Sequence, residues 1–190
     1  MAAPSNARPI YRLPPAGATI PIPLAATLFA YAVLSNVALA VVPHEPIVLW
    51  YGARFGIWLT AAIATLGTIT AAWIDHRVFV PLIQRVRHRS FFAEGSIGWL
   101  RARFSRVPFL VLAVSGLTPL PHFPFKAMAF AEHYPRGRYV AAIAAGRFPR
   151  YVILAWLGIV IQIPTWVLVL LFALMILPSV RLAWKRRNGR

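Results

Sequence analysis

Long apolar stretches, separated by arginines and proline clusters, constrain this chain more than any other feature. Residues 24–42 would rise about 28 Å as a helix, close to the hydrocarbon thickness of a bilayer. Further apolar stretches cover 55–74, 139–161 and 165–182. Hydrophobic residues make up 59% of the chain, whereas a soluble domain is about half apolar. The sequence therefore predicts an all-α integral membrane protein built as a multi-helix bundle.

The domain organisation predicted from these stretches is simple. One membrane domain covers 24–184, between an N-terminal arm at 1–23 and a basic tail at 185–190. Six prolines in the arm forbid a regular helix and indicate an extended segment. Residues 38–40 have the small-x-small form of a signal-peptidase site, which leaves cleavage as an alternative. Because the apolar run continues past that site, we expect 24–42 to be retained.

The formal net charge of +16 is distributed like that of membrane loops. The arginines lie between or beside the apolar stretches, which is the positive-inside pattern, and such residues also attract anionic lipid headgroups. We therefore expect no nucleic-acid partner. The pattern predicts a multi-pass protein of the inner (plasma) membrane, with both termini, the basic segment 76–106 and the turn 135–138 on the cytoplasmic side.

Two proline-broken elements, 43–54 and 118–126, occupy corresponding positions in the two halves of the chain. Residues 107–120 are apolar but too short to cross a bilayer, and the segments that flank 107–134 are both basic. This predicts a hairpin that enters and leaves the membrane by one face. We expect 43–54 likewise to enter without crossing. Paired interrupted segments of this kind indicate a transporter binding site.

Five charged residues at membrane depth are the candidate site, with roles in substrate binding or proton coupling. A carboxylate inside a membrane is costly and indicates function, although a turn at the lipid–water boundary would also suit Glu45. Asp75 ends a small-residue stripe and has an interfacial pairing with Arg77 or His76 as its alternative. Arginines three residues apart lie on nearby helix faces and could clamp a lipid phosphate, or else only set topology. The candidates are Glu45, Asp75, Lys126, Arg147 and Arg150.

Several classes of chemistry have no support in the sequence. The chain has no cysteine, which excludes disulfides and thiolate metal sites. Its five histidines form no zinc motif. Neither a nucleophile elbow nor a nucleotide-binding glycine loop is present. We expect no enzymatic activity, no cofactor and no metal.

The order and spacing of these elements resemble the DedA superfamily, also called the VTT-domain or SNARE-associated Golgi protein family. Pro43-His44-Glu45-Pro46, followed by residues 65–75, is similar to the first half of that family. Residues 119–126, followed by 146–151 and by Leu157-Gly158, resemble the second half of its small bacterial branch. The resemblance covers about 30–160, which it identifies as a VTT-like core.

The resemblance implies two re-entrant hairpins related by an inverted repeat. It also implies translocation of lipids or lipid-linked phosphates, coupled in bacteria to protons and to envelope maintenance. Glu45 matches the acidic position of the first motif, and Lys126 lies where better-studied members carry an arginine. The chain departs from the pattern at Ser35 or Asn36, where an acidic residue is often found, and in its proline-rich second motif.

Two functions of different classes follow from the sequence. The first is a transporter or scramblase of lipids or lipid-linked phosphates that supports membrane homeostasis, with protons as the coupling ion. The alternative is a scaffold that transports nothing and whose basic segments bind anionic lipids or a partner protein. Membrane lipids with anionic or phosphate headgroups are the expected partners in both cases, and a homo-oligomer is compatible with either.

Overall fold

The computed structural model contains six α-helices and no strand among the residues that it describes. They are α1 (Ile22–Asn36), α2 (Glu45–Phe55), α3 (Ile57–Val86), α4 (Pro108–Leu117), α5 (Phe123–Ala131) and α6 (Arg136–Ile161). The described residues are 20–37, 43–86, 104, 106–118, 123–161, 164, 166–167, 169–170, 173–174 and 177. The all-helical class is thereby confirmed. Residues 1–19 of the predicted arm lie outside these residues, as do the centre of the basic segment, most of the last apolar stretch and the tail. The prediction that the extended arm reaches residue 23 is wrong at its end, because α1 begins at Ile22 with Pro23 in its first turn.

Within the described part of the chain, two helices are long and apolar enough to cross a membrane, judged by length and composition. They are residues Ile57–Leu82 of α3 and Arg136–Ile161 of α6, each 26 residues long. Large apolar side chains on both helices point outward, among them Trp58, Trp73 and Trp156. Such outward-facing apolar surface suits a lipid environment better than water. α1 and α4 are shorter apolar helices. The prediction of one helix over 24–42 is wrong at its end, because α1 ends at Asn36, and residues 38–42 lie outside the described residues.

The prediction that prolines break the chain throughout 43–54 is wrong for most of that segment. α2 begins at Glu45 and continues to Phe55, with Pro46 in its first turn. A proline is tolerated there because the N–H that it lacks would have no partner within the helix. The interruption is therefore confined to the residues before Glu45. At its other end α2 is separated from α3 by Gly56, whose φ of 89° is a conformation that glycine adopts readily.

The two long helices extend further than the apolar stretches that predicted them. α3 was expected to end at Ile74 but continues to Val86, so Asp75 lies inside a helix and not at its end. α6 runs without interruption through Pro149. Prolines inside helices are tolerated in membrane proteins, where neighbouring groups satisfy the carbonyl that is left unpaired.

The helices of the two halves follow the same order. Each half has a short apolar helix (α1 or α4), then a short helix with a proline near its start (α2 or α5), then a long helix (α3 or α6). α1 packs on α3, and α4 packs on α6. The second short helix of each half instead reaches the long helix of the other half, α2 against α6 and α5 against α3. The two long helices also pack against each other.

α2 and α6 approach to backbone contact. A Cβ atom added at Gly158 of α6 would lie 2.1 Å from the carbonyl oxygen of Leu49, and one at Gly52 of α2 would lie 2.4 Å from the Cα of Ala155. Small residues at helix crossings permit this closeness. The contact positions the first turn of α2, and with it Glu45, against the middle of α6.

Candidate functional site

The small-residue stripe on α3 faces the interior along its whole length, as the sequence predicted. All five positions are buried, and the last, Asp75, is fully enclosed. The interfacial alternative for Asp75 named Arg77 and His76 as partners. Arg77 instead lies over the Trp73 ring, and His76 contacts the backbone oxygen of Tyr134. The stripe residues are Ala61, Ala64, Thr68, Ala71 and Asp75.

Asp75 forms an ion pair with Lys126 of α5. The exposed fractions of the two side chains are 0% and 8%, so the pair is enclosed by protein. Lys126 Nζ also donates a hydrogen bond to the backbone oxygen of Asn36, at 3.2 Å. Such additional hydrogen bonds are what make a buried ion pair tolerable. The pair joins three helices, because Asn36 is the last residue of α1.

Glu45 forms the second ion pair, with Arg150 of α6. Arg150 Nη2 donates to Glu45 Oε1 at 2.5 Å, while Nη1 donates to the backbone oxygen of Thr118 at 2.5 Å. The backbone N–H of His44 donates to the other carboxylate oxygen at 3.1 Å. Burial would raise the pKa of Glu45, but a hydrogen bond from the Glu45 backbone and the charge of Arg150 together lower it below its ordinary value. Glu45 is 36% exposed, so this pair is more open than the other.

Arg147 of α6 belongs to neither of these two ion pairs. Its Nε atom is buried, and no hydrogen-bond partner for it occurs among the described residues. The charge of Arg147 acts electrostatically on His44, on Lys126 and on Tyr139. Tyr139, two turns earlier on the same face of α6, also has a buried hydroxyl that finds no partner in the described part of the chain. Arg147 and Tyr139 thus each have a buried polar atom without a partner among the described residues.

His44, which sequence reasoning did not select, lies at the junction of these groups. It is buried, its Nδ1 lies 2.8 Å from the Ser35 hydroxyl, and its ring is 4.9 Å from that of Tyr151. Burial first, and then the Arg147 charge, lower the pKa of His44 to about 3, so its imidazole is neutral. A sequence signal existed: Ser35 and Asn36 are polar residues within an apolar run, immediately before the proline-flanked segment.

A chain of hydrogen bonds connects the two ion pairs through His44. The Asn36 side chain donates to the Ser35 hydroxyl at 3.3 Å, and Ser35 contacts the His44 ring. At the ends, His44 bonds to Glu45 and Asn36 bonds to Lys126. In order, the residues of this connection are Glu45, His44, Ser35, Asn36, Lys126 and Asp75.

The five predicted site residues form one cluster with a surplus positive charge. Lys126, Arg147 and Arg150 contribute three positive charges, and Glu45 and Asp75 contribute two negative ones. With His44 neutral, the surplus resides on Arg147. The predicted clamp of two arginines on one phosphate is modified by this arrangement, because Arg150 already binds Glu45 and Thr118.

Known proteins provide no family for this chain. No protein-family model matches it, no curated protein matches it and no solved structure matches it. The resemblance to the DedA superfamily therefore stays a prediction.

Proposed function

We propose that this protein is a membrane transporter or scramblase that moves lipids or lipid-linked phosphates by binding their phosphate group at Arg147. The observation that carries the proposal is the buried Nε atom of Arg147, which has no partner among the described residues. The other two basic residues of the cluster, Lys126 and Arg150, are each paired with a carboxylate. Leaving a buried donor of a charged group without an acceptor is costly, and ionisable groups at membrane depth usually serve function. A phosphate would supply both the missing negative charge and the missing hydrogen-bond acceptor.

The difference between the ion pairs suggests how the phosphate enters and how a proton is coupled to it. Asp75–Lys126 is enclosed, whereas Glu45–Arg150 is partly exposed. A phosphate that approaches on the Glu45 side can displace that carboxylate from Arg150 and then bind both arginines. Glu45, once released from its partner, would bind a proton more readily. The proposed cycle therefore exchanges an internal carboxylate for a substrate phosphate.

Helix lengths support two re-entrant hairpins related by an inverted repeat. α1, the longest of the four short helices, has 15 residues and would rise only about 22 Å, while the hydrocarbon core is about 30 Å thick. The shared element order and the exchange of short helices between the halves fit such a repeat. Both features also fit the DedA-like resemblance, which implies the same architecture.

Contacts between the second half of α3 and the start of α6 support the proposed orientation in the inner membrane. The guanidinium carbons of Arg77 and Arg136 lie 4.2 and 5.8 Å from the centre of the Trp73 ring. The second half of α3 and the start of α6 therefore lie at the same end of the bundle. Basic residues beside an indole are typical of the cytoplasmic interface. The segment between these helices would then enter and leave the membrane by one face.

Lipid flux in reconstituted vesicles tests the proposal. Purified protein is incorporated into proteoliposomes that contain a trace of fluorescently labelled phosphatidic acid, and the label in the outer leaflet is bleached chemically. Without lipid movement only the outer-leaflet half of the label can be bleached. We expect more than half to be bleached with wild-type protein, and only that half with Arg147→Ala. Arg138→Ala, an exposed position on the same helix, is the matched control and should retain flux. Folded wild-type protein that gives no flux above empty vesicles would contradict the proposal.

The alternative function, a scaffold, is favoured by one observation. Arg77 and Arg136 are exposed around Trp73, which is an arrangement suited to holding an anionic headgroup at the membrane surface. A scaffold needs no path through the centre of the protein. It would bind anionic vesicles without flux, and Arg147→Ala would leave that binding unchanged.

A further inference from the structure

We infer that His44 is a further ligand-contacting residue, whose Nε2 donates a hydrogen bond to the same phosphate that Arg147 binds. The inference rests on the proposed function and deepens it, because it adds a neutral donor from the first half of the chain to a cation from the second. His44 lies outside the five charged positions that the sequence selects. Four features of the structure carry it. The Nε2 atom has no partner among the described residues, the imidazole ring is held in place, the ring lies in the region of Arg147, and the hydrogen-bond pattern favours a proton on Nε2.

The orphan atom is Nε2 itself. His44 is 5% exposed, so water has little access to its ring. Nδ1 lies 2.8 Å from the Ser35 hydroxyl, but Nε2 has no hydrogen-bond partner within the described part of the chain. Buried polar atoms are almost always satisfied, and an exception calls for a ligand, an ion or a water molecule.

Neighbouring aromatic rings fix the direction of this atom. The Tyr31 ring stacks on the imidazole at a centroid distance of 5.9 Å, with 20° between the planes, and the Tyr151 ring lies 4.9 Å away. Tyr31 is itself anchored, since its hydroxyl donates to the Pro43 backbone oxygen at 2.5 Å. Tyr151 is anchored through Thr68, at 2.8 Å. Because Nδ1 is also engaged, the imidazole cannot turn Nε2 towards another partner without breaking these contacts.

The orphan Nε2 lies in the same region as the orphan Nε of Arg147. Arg147 is one turn before Tyr151, so both side chains project from the same face of α6. His44 packs on Tyr151 and experiences the charge of Arg147. Two buried donors from different halves of the chain therefore lack acceptors among the described residues, in one region around Tyr151. One anion with several oxygens satisfies both, whereas a cation would be repelled by Arg147.

The hydrogen-bond pattern indicates that Nε2 carries the proton. The Ser35 hydroxyl has two acceptors within reach, His44 Nδ1 at 2.8 Å and the Ala32 backbone oxygen at 3.4 Å. The Asn36 side chain donates to the same hydroxyl oxygen, which leaves the Ser35 hydrogen available for the closer acceptor. If Ser35 donates to Nδ1, the neutral imidazole carries its hydrogen on Nε2 and is a donor there. A donor without a partner fits a phosphate oxygen.

Nitrogen-15 NMR of the histidine side chains tests this contact directly. The chain has five histidines, and the His44 signals are assigned by their loss in His44→Gln. We expect the Nε2–H tautomer, and a shift of the Nε2 resonance when phosphatidic acid is added to protein in nanodiscs. Diacylglycerol, which lacks the phosphate, should cause no shift. A shift with inorganic phosphate alone would identify a free-phosphate site in place of a lipid headgroup site.

Two isosteric variants separate ligand contact from a structural role. Glutamine places an amide near the Nε2 position and asparagine places one near Nδ1, so only His44→Asn preserves the contact with Ser35. We expect His44→Gln to bind phosphatidic acid within a few-fold of wild type, and His44→Asn to lose about tenfold, the effect of one charge-assisted hydrogen bond. Ser35→Ala should weaken binding less than His44→Asn does. Monodispersity on size-exclusion chromatography shows that each variant is folded.

The outcomes distinguish this inference from the function on which it rests. If His44→Asn binds like wild type and His44→Gln does not, the residue has only a structural bond to Ser35 and the inference is wrong. If Nε2 does not shift while Arg147-dependent flux persists, the inference is again wrong and the transport function stands. If wild-type protein neither binds phosphatidic acid nor moves lipid, the proposed function itself fails.

Discussion

The guanidinium of Arg150 donates to the carboxylate of Glu45 at 2.5 Å, across 105 positions of sequence. In the enclosed pair, Asp75 with Lys126, the acid lies on a long helix and the base on a short one, which is the reverse of Glu45 with Arg150. In both pairs a short helix of one half supplies a charge to the long helix of the other half, and both acids come from the first half. The halves therefore attract each other at their centre, and a ligand that competes for one pair alters how they are held together.

Replacing Glu45 by glutamine should remove transport while the protein stays folded. The neutral isostere keeps the shape of the side chain and loses the charge that holds Arg150 and binds the proton. Because Glu45 is 36% exposed, we expect only about 1 kcal/mol of destabilisation. Lipid flux and thermal unfolding of the same preparation check this. Glu132→Gln, an exposed position, is the control, and unchanged flux in Glu45→Gln would make Glu45 a structural turn residue.

The enclosed ion pair should respond differently, with stability as its main readout. Asp75→Asn or Lys126→Met alone leaves a buried charge without compensation, at a cost of about 3–5 kcal/mol. The double variant removes both charges and should recover most of that loss, since neutral replacements of buried pairs are often tolerated. Thermal unfolding in detergent measures all three proteins. A double variant as unstable as the sum of the single variants would show that the two residues do not act as a pair.

The five charged residues of the candidate cluster could be selected from the sequence, but their pairings could not. Asp75 and Lys126 stand out because charged residues are rare in apolar stretches, and a residue count is enough to find them. Their pairing, over 51 positions, depends on how α5 crosses to α3, which no local pattern encodes. Arg150 could equally have faced a substrate, and only the approach of α2 to α6 gives it Glu45 as a partner.

The presence of the helices could be predicted from the lengths of the apolar stretches, but the residues at which the helices begin and end could not. α4 follows the predicted apolar segment 107–120 closely. The prediction of a proline-broken element over 118–126 is wrong for its last residues, because α5 begins at Phe123 and contains Pro124. Proline is an ambiguous signal, because Pro46 starts a helix and Pro149 lies inside one. α3 continues beyond its apolar stretch because Asp75 is satisfied inside the bundle, so the helix need not end at the first charge. His44 was missed because a single histidine forms no motif.

The contact between α2 and α6 should be sensitive to a single methyl group. A Cβ at position 158 would lie 2.1 Å from a backbone oxygen of α2, which cannot move as a flexible side chain can. We expect Gly158→Ala to destabilise the protein by about 1–3 kcal/mol, the range for overpacking. Gly137→Ala is the matched control on the same helix, since a Cβ there meets nothing within 4 Å. Equal melting temperatures for the two variants would contradict this close approach.

The re-entrant path of residues 107–134 can be tested by cysteine labelling, because the chain has no native cysteine. Single cysteines at Arg106 and Pro135, which lie on either side of the segment and are exposed, report the face from which each end is reached. A membrane-impermeant maleimide should label both from the cytoplasmic face. The expectation follows from the contacts of Arg77 and Arg136 with Trp73, which bring the flanking helices to the same end. Labelling of the two sites from opposite faces would show that the segment crosses the membrane.

Lysine substitutions separate the two roles considered for Arg147 and Arg150. If they bind phosphate, Arg147→Lys should impair transport nearly as much as Arg147→Ala, because lysine supplies the charge without the guanidinium fork and without a donor at the Nε position. A lost charge-assisted hydrogen bond corresponds to about a tenfold or greater loss of lipid affinity. If the arginines only set topology, lysine should replace both freely, since either residue satisfies the positive-inside rule. Arg138→Lys is the control for topology alone. Wild-type flux in both Arg147→Lys and Arg150→Lys would exclude the phosphate site and leave the scaffold as the better account.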